Sequence, residues 1–194
     1  MRKAEVVRKT KETDITVKIN LDGSGISNIN TGIGFFDHML QALSKHSGID
    51  MDIKCNGDLN VDCHHTVEDC AIVLGDALNK ALVDKNGINR YASFTMAMDD
   101  ALVLCAIDLS NRFYYESDCY FDTPKCGDFE CETTDEFFKS FAENAKINLH
   151  FMFLRGKNSH HIIECMFKAL AKCLKDAISI NPNIKGSLST KGVI

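Results

Sequence analysis

The sequence predicts an α+β fold, a sandwich of sheet and helices written twice in tandem. Three observations carry this. The segment His64-His65-Thr66-Val67-Glu68 returns as His160-His161-Ile162-Ile163-Glu164, an offset of 96, and the helix-patterned residues after it return as well. Upstream landmarks repeat in the same order: Asp37-His38-Met39-Leu40 matches Asp135-Glu136-Phe137-Phe138 at offset 98, and Ile19-Asn20-Leu21-Asp22 matches Ile107-Asp108-Leu109-Ser110 at offset 88. Period-2 and period-3.6 patterns follow one another in each copy. Offsets that drift by a few residues are what insertions between fixed elements produce. The chain therefore reads as a single domain over 1–194 made of two homologous halves, about 9–95 and 96–194.

The elements follow from local pattern. Residues 15–21 alternate apolar and polar side chains and stop at Asp22-Gly23, a half-buried strand ending in a turn. Residues 37–45 carry Met39, Leu40 and Leu43 at helical spacing. Residues 51–55 alternate again and stop at Asn56-Gly57-Asp58, a turn signal. A long helix is expected over 66–83, with Val67, Ala71, Leu74, Leu78 and Leu82 on one face. In the second half, 101–107 is a strand-sized apolar run and 147–149 repeats the strand start at 49–51. The carboxylate-rich stretch 128–136 reads as a solvated loop running into a helix. The last helix is expected over about 161–180, ending before Asn181-Pro182.

Composition narrows the function classes. With 194 residues, 45% hydrophobic and 25% charged, the chain can bury a real core and is neither disordered nor collagen-like. A net charge of −5 argues against nonspecific nucleic-acid binding. No apolar run approaches a membrane span. The N-terminus has no apolar signal segment, so the cytoplasm is the expected compartment, or a plastid if a transit segment was removed. Nine cysteines with no C-x-x-C spacing read as reduced thiols, several of them small core hydrophobes.

The doubled His-His-x-x-Glu motif carries the chemistry. Neutral imidazole and carboxylate are ligands for Mn, Fe, Co or Zn. On a helix, His64 and Glu68 share a face, as do His160 and Glu164, whereas His65 and His161 point about 100° away. Each motif thus splits its ligands between two ions, and a further group is needed for each. His38 is one candidate, and its repeat partner is Glu136. The splitting bridges the two halves of one chain or links two subunits. Open positions and mixed N/O ligands suit octahedral Mn(II) or Fe(II) better than a closed structural zinc. The bland alternative is a pair of helix N-termini carrying histidines and a dipole-favoured glutamate.

The run Thr31-Gly32-Ile33-Gly34-Phe35-Phe36-Asp37-His38-Met39-Leu40 precedes Gly57-Asp58 and His64-His65-Thr66-Val67-Glu68-Asp69. Later come Asn158-Ser159-His160-His161-Ile162-Ile163-Glu164 and Phe167-Lys168-Ala169. Together they resemble the imidazoleglycerol-phosphate dehydratase family of histidine biosynthesis. The resemblance runs from Lys11-Glu12-Thr13 to Ser189-Thr190-Lys191-Gly192-Val193. It implies a duplicated fold of the ribosomal protein S5 domain 2-like type, with helices between two mixed sheets. It also implies two Mn(II) per subunit, with Fe, Co or Zn as alternatives, and a 24-subunit homo-oligomer whose metal sites lie between subunits. The implied metal ligands are His38, His64, His65, Glu68, His160, His161 and Glu164, with Glu136 where plant-type members have histidine. Glu12, His65 and Glu164 are the implied catalytic groups. Glu12, His38, Arg90, Arg112, Lys168, Ser189 and Lys191 are the implied substrate contacts, the arginines, Ser189 and Lys191 surrounding the phosphate. Ala42 stands where some members have a phosphate-binding glutamine.

The residues alone are compatible with these roles. Arg90 and Arg112 fall in loops, where guanidinium forks suit phosphate, although lone arginines are more often solvated surface charges. The 189–192 tail reads as a frayed end or as a clasp of hydroxyl, ammonium and glycine. His46 and His150 read as ordinary structural histidines. The hydrogen lost in such a dehydration has no neighbouring carbonyl, so a base alone is too weak and metal-held imidazole is the expected activator. Glu12 or a metal-bound water is the expected proton carrier. The rival classes are a dinuclear-metal hydrolase acting on a small phosphorylated substrate and a metal-storage shell without catalysis.

Overall fold

The computed structural model describes residues 2–192; Met1, Val193 and Ile194, and with Val193 the last residue of the family resemblance, lie outside the described residues. In chain order the elements are β1 (Lys3–Lys9), β2 (Thr13–Asn20), β3 (Ser27–Asn30), α1 (Gly34–Ser47), β4 (Asp50–Gly57) and α2 (His64–Ala81). The second set is β5 (Tyr91–Met98), β6 (Ala101–Asp108), β7 (Tyr114–Ser117), β8 (Lys125–Cys126), β9 (Phe129–Glu130), α3 (Thr133–Ala145), β10 (Asn148–Arg155) and α4 (Ser159–Ala177).

The duplication is complete at the level of topology. One sheet has the order β1-β2-β4-β3 and the other β5-β6-β10-β7. In each sheet the first three strands are antiparallel and the fourth runs parallel to its neighbour. The parallel pairs β3/β4 and β7/β10 are joined through α1 and α3, the crossover that a parallel connection requires. The hairpin β8–β9 interrupts only the second copy, between β7 and α3. It explains why the repeat offset grows from 88 at the second strand to 98 at the third helix. A shorter link from β10 to α4 than from β4 to α2 then brings it back to 96.

The structure moves the division between halves. The 95/96 boundary read from the sequence falls inside β5, which is the counterpart of β1; the two units meet in the connection 82–90. Helix bounds also shift. α1 begins three residues earlier than expected, and α4 stops at Ala177 because 178–181 turn away to bridge the first half, Ile180 pairing with Ile88. All nine cysteines are free thiols, and seven are buried.

Packing follows from the alternation. Ile15, Val17 and Ile19 of β2 point inward, as do Val103, Cys105 and Ile107 of β6, and the four helices fill the space between the two sheets. α2 lies over β1 and β2, and α4 over β5 and β6. Across the middle the pairing is between halves: α1 packs on α4, and α3 on α2. The α2/α3 crossing is close at Gly75, where a Cβ would stand 2.5 Å from the Phe141 carbonyl oxygen and 2.9 Å from the Ala145 nitrogen. α1 ends at Gly48 in the left-handed conformation (φ 76°), with its N–H returning to the Ser44 carbonyl. The following turn is held by Asp50, whose carboxylate accepts from the backbone N–H groups of Ser24 and Ile26, each at 2.9 Å.

Two stability predictions follow from this packing. Gly75→Ala gains about 1 kcal/mol of helix propensity but overpacks against backbone atoms at a cost of about 1–3 kcal/mol. A net loss is expected in denaturant unfolding, and a variant more stable than the parent contradicts the close crossing. The N–H groups of Ile26 and Ser24 hold the Asp50 carboxyl below its ordinary value. A carboxylate with a depressed native pKa stabilises the fold above the ordinary carboxylate range, and that contribution is lost as pH falls through the native value. Asp50→Asn should therefore be less stable near neutrality by about 1 kcal/mol, with the gap closing in acid. A gap independent of pH contradicts the assignment.

Candidate active site

Both motifs sit where the sequence puts them, at the starts of the two long helices. Asp62 accepts the His64 backbone N–H at 2.8 Å, and Asn158 caps α4 by accepting the His161 N–H at 3.3 Å. Helical geometry then pairs residues four apart. His160 Nε2 lies 3.2 Å from Glu164 Oε2, and His64 Nε2 lies 3.7 Å from Glu68 Oε2.

The cross-packing of α1 on α4 adds a third group. His38 Nε2 is 3.7 Å from Glu164 Oε2. One ligand atom each from His38, His160 and Glu164 lies within 4.8 Å of the others, which is suitable for a single divalent ion. Two imidazoles and a carboxylate leave positions open, as a catalytic ion requires. Glu164 is only 6% exposed. Burial pushes its carboxyl up, but the Lys168 ammonium at 2.5 Å, with His38 and His160, outweighs this and holds it below the ordinary value. His38 thus lies beside the second-half motif of its own chain.

His65 and His161 are turned away from those clusters, as the 100° step demands. Each has Nδ1 on an aspartate. His65 Nδ1 is 3.0 Å from Asp58 Oδ2, and His161 Nδ1 is 2.6 Å from Asp100 Oδ1. The aspartates orient the rings and direct Nε2 outward, in the manner of carboxylate–histidine–metal arrangements. The Asp58 hydrogen bond raises the His65 pKa, and the His161 bond, with two backbone N–H groups, holds Asp100 well below the carboxylate range. Beyond each Nε2 stands an acid from the neighbouring strand–strand turn: Glu12 at 3.9 Å from His65, and Asp99 at 3.5 Å from His161.

The remaining expected residues lie elsewhere. Glu136, in the first turn of α3, pairs with Lys139 at 3.9 Å; among the described residues, neither it nor His64 and Glu68 belongs to a cluster of three ligands. Arg90, Arg112, Ser189 and Lys191 line one cavity of about 590 Å³, together with Tyr91 and Thr190. Lys168 does not line it; its amine sits on Glu164 and on the Met98 sulfur. Ala42 is buried in α1. His46 and His150 are exposed rather than partly buried, and His150 stacks on Tyr114.

Sequence reasoning missed Asp58 and Asp100. Asp58 served only as a turn signal. Asp100 stands at offset 88 from Glu12, so the repeat itself could have marked it.

The distance between the two groups of residues is set by β5. Arg90 and Tyr91 are at its start, Met98 and the Asp99-Asp100 turn at its end. Seven strand steps separate Tyr91 from Met98, a span of roughly 24 Å.

A family model described as Imidazoleglycerol-phosphate dehydratase matches residues 31–174. Proteins of that name are similar over the whole chain. The one from Acetivibrio thermocellus is 54% identical over 193 residues, covering 100% of this chain and 99% of its own. The one from Lachnoclostridium phytofermentans is 53% identical over 193 residues, covering 100% and 98%. The crystal structure of imidazoleglycerol-phosphate dehydratase from Staphylococcus aureus superposes with a TM-score of 0.84 at 34% identity, over 92% of this chain and 99% of that one. Among the described residues, no helix is long and apolar enough to cross a membrane.

The aspartate–histidine pairs give a prediction. Asp100→Asn and Asp58→Asn should each weaken Mn(II) binding about 10–100-fold, the usual effect of removing such a partner. Titration of the metal-free variants measures this. Parent affinity in both variants would mean that His65 and His161 do not hold metal.

Proposed function

The chain belongs to the imidazoleglycerol-phosphate dehydratase family, and from that premise we propose how its residues divide the work of dehydrating imidazoleglycerol phosphate to imidazoleacetol phosphate in histidine biosynthesis. The family reaction is metal-dependent. His38, His160 and Glu164 would hold one ion; His64 and Glu68, with Glu136 from the adjoining helix, would hold the second. His65 and His161 would complete sites on neighbouring chains. When bound, Mn(II), or Fe, Co or Zn in its place, supplies Lewis acidity at the substrate's imidazole ring.

The rest falls to side chains of this chain. Glu12, exposed at the β1–β2 turn beside His65, carries the proton taken from carbon, and His65 and Glu164 set the frame in which it acts. Lys168 keeps Glu164 ionised and adds positive charge for an anionic substrate. Arg90, Arg112, Ser189 and Lys191 grip the phosphate, holding the reacting carbons in place through binding energy remote from them.

One observation carries the assembly. The phosphate cavity and the His161 end of the site are separated by the length of β5, and a molecule made of an imidazole ring, three carbons and a phosphate is far shorter than that. A single chain therefore cannot offer both ends to one substrate. The working site is built from more than one copy, and a closed 24-subunit homo-oligomer with metal between subunits satisfies this requirement.

Incubating Mn(II)-loaded protein with imidazoleglycerol phosphate and following imidazoleacetol phosphate tests the reading; absence of product from loaded protein refutes it. Ions that join chains add interface energy. EDTA should accordingly abolish activity and convert the particle to smaller oligomers on size-exclusion chromatography. An unchanged particle after verified metal loss would overturn the bridging arrangement. Glu12→Gln should lower kcat about 100-fold or more with KM little changed, and parent kcat would remove Glu12 from the chemistry.

A further inference from the structure

At the end of β6, Asp108 lies among the cations that line the phosphate cavity. It accepts a two-pronged hydrogen bond from Arg90, Nε to Oδ1 at 2.7 Å and Nη2 to Oδ2 at 3.1 Å. Nη2 of Arg112 is 4.0 Å from its Oδ2. Arg90 is 7% exposed and its backbone is left-handed (φ 70°), tied by its N–H to the Ala177 carbonyl and by its own carbonyl to the Leu109 N–H. Its third nitrogen, Nη1, donates to the Leu188 carbonyl at 2.5 Å. Leu188 belongs to the 187–191 segment that supplies Ser189 and Lys191 to the cavity. Lys85, also 7% exposed, sits beneath and donates to Asn111 Oδ1 at 2.7 Å. Burial pulls its ammonium down to about 8, and the Asp108 charge works against that pull.

A carboxylate beside an anion site is an electrostatic liability, since it repels the phosphate that the arginines attract. Its gain is geometric. Two guanidiniums facing one cavity repel each other when it is empty, and a forked acceptor fixes the plane of Arg90, whose five N–H donors include two beyond those given to Asp108 and Leu188. We propose that Asp108 is the positioning residue of the phosphate clasp. It holds Arg90 in a forked hydrogen bond, keeps Arg112 beside it, and through the Arg90–Leu188 link seats the segment that carries Ser189 and Lys191. The proposal rests on the reading that this cavity takes the substrate's phosphate.

The sign of one effect distinguishes positioning from simple charge balance. If Asp108 were only a counter-charge, Asp108→Asn would tighten phosphate binding. As a positioning residue, its replacement loosens binding, because the amide turns a donor toward a guanidinium. The experiment uses the full-length Mn(II)-loaded protein and reads KM, kcat and the inhibition constant of inorganic phosphate. Asp108→Asn is expected to raise KM and the phosphate inhibition constant together by about tenfold, with kcat falling much less. Asp108→Glu keeps the charge but moves it by one methylene, and it should fall between the parent and Asn. It also supplies the decisive reading should the Asn variant not fold: a Glu variant with the parent's KM makes Asp108 a counter-charge and overturns the proposal. So does tighter or unchanged phosphate binding by Asp108→Asn, or a loss of thermal stability and kcat without a change in KM. Arg112→Ala is the control for the clasp itself and should weaken phosphate binding similarly. If Arg112→Ala leaves phosphate inhibition unchanged, the cavity is not the phosphate site and the clasp reading falls, whatever Asp108 does.

Discussion

The pairing of helices across the two halves is the constraint on which the rest depends. Each sheet is covered on its inner face, but the helices that cover it meet the helices of the other copy, α1 on α4 and α3 on α2. Neither half can bury its helix faces alone, so the fold is a single core despite its doubled sequence. The same contact gathers ligand-type side chains. His38 comes from α1 of the first half, His160 and Glu164 from α4 of the second, and their ligand atoms converge only because those helices pack together. The tightness at Gly75, where backbone meets backbone across α2 and α3, shows how little freedom that arrangement has.

The duplication has been used unevenly. Both copies retain the i,i+4 His/Glu pair and a second histidine whose Nδ1 is held by an aspartate. The holding aspartate differs in origin: Asp58 follows β4, whereas Asp100 comes from the β5–β6 turn. Glu12 and Asp100 occupy matching places in the repeat, yet Asp100 grips Nδ1 of its histidine while Glu12 faces Nε2. One turn of the repeat has therefore come to place a carboxylate beyond Nε2 of its histidine in one half and a ring-orienting carboxylate on Nδ1 in the other. The clasp of Arg90, Arg112 and the 187–191 segment belongs to the second half and to the connection before it.

The sequence by itself determined the duplication, the inner strands, the four helices and the placement of the two His-His-x-x-Glu motifs at helix starts. Buried periodicity imposes itself on sequence: β2 and β6 alternate because one face must be apolar, and His-x-x-x-Glu spacing follows from the helical turn. Of the strands it did not reveal, β1, β3, β5 and β7 are the edges of the two four-stranded sheets, and β8 and β9 form the short hairpin before α3. An edge strand has one neighbour and looser burial, so Ser27–Asn30 reads as polar loop, and the boundary between halves was drawn through β5. Only the tertiary structure decided which ligand-type groups converge, which aspartates orient His65 and His161, and that Asp108 stands between Arg90 and Arg112. It also set the cavity of Arg90, Arg112, Ser189 and Lys191 and the aspartates that meet His161 at opposite ends of β5. The physical reason is common to all of these: they are contacts between residues remote in sequence, fixed by how helices cross and where strands end, and no local period records them.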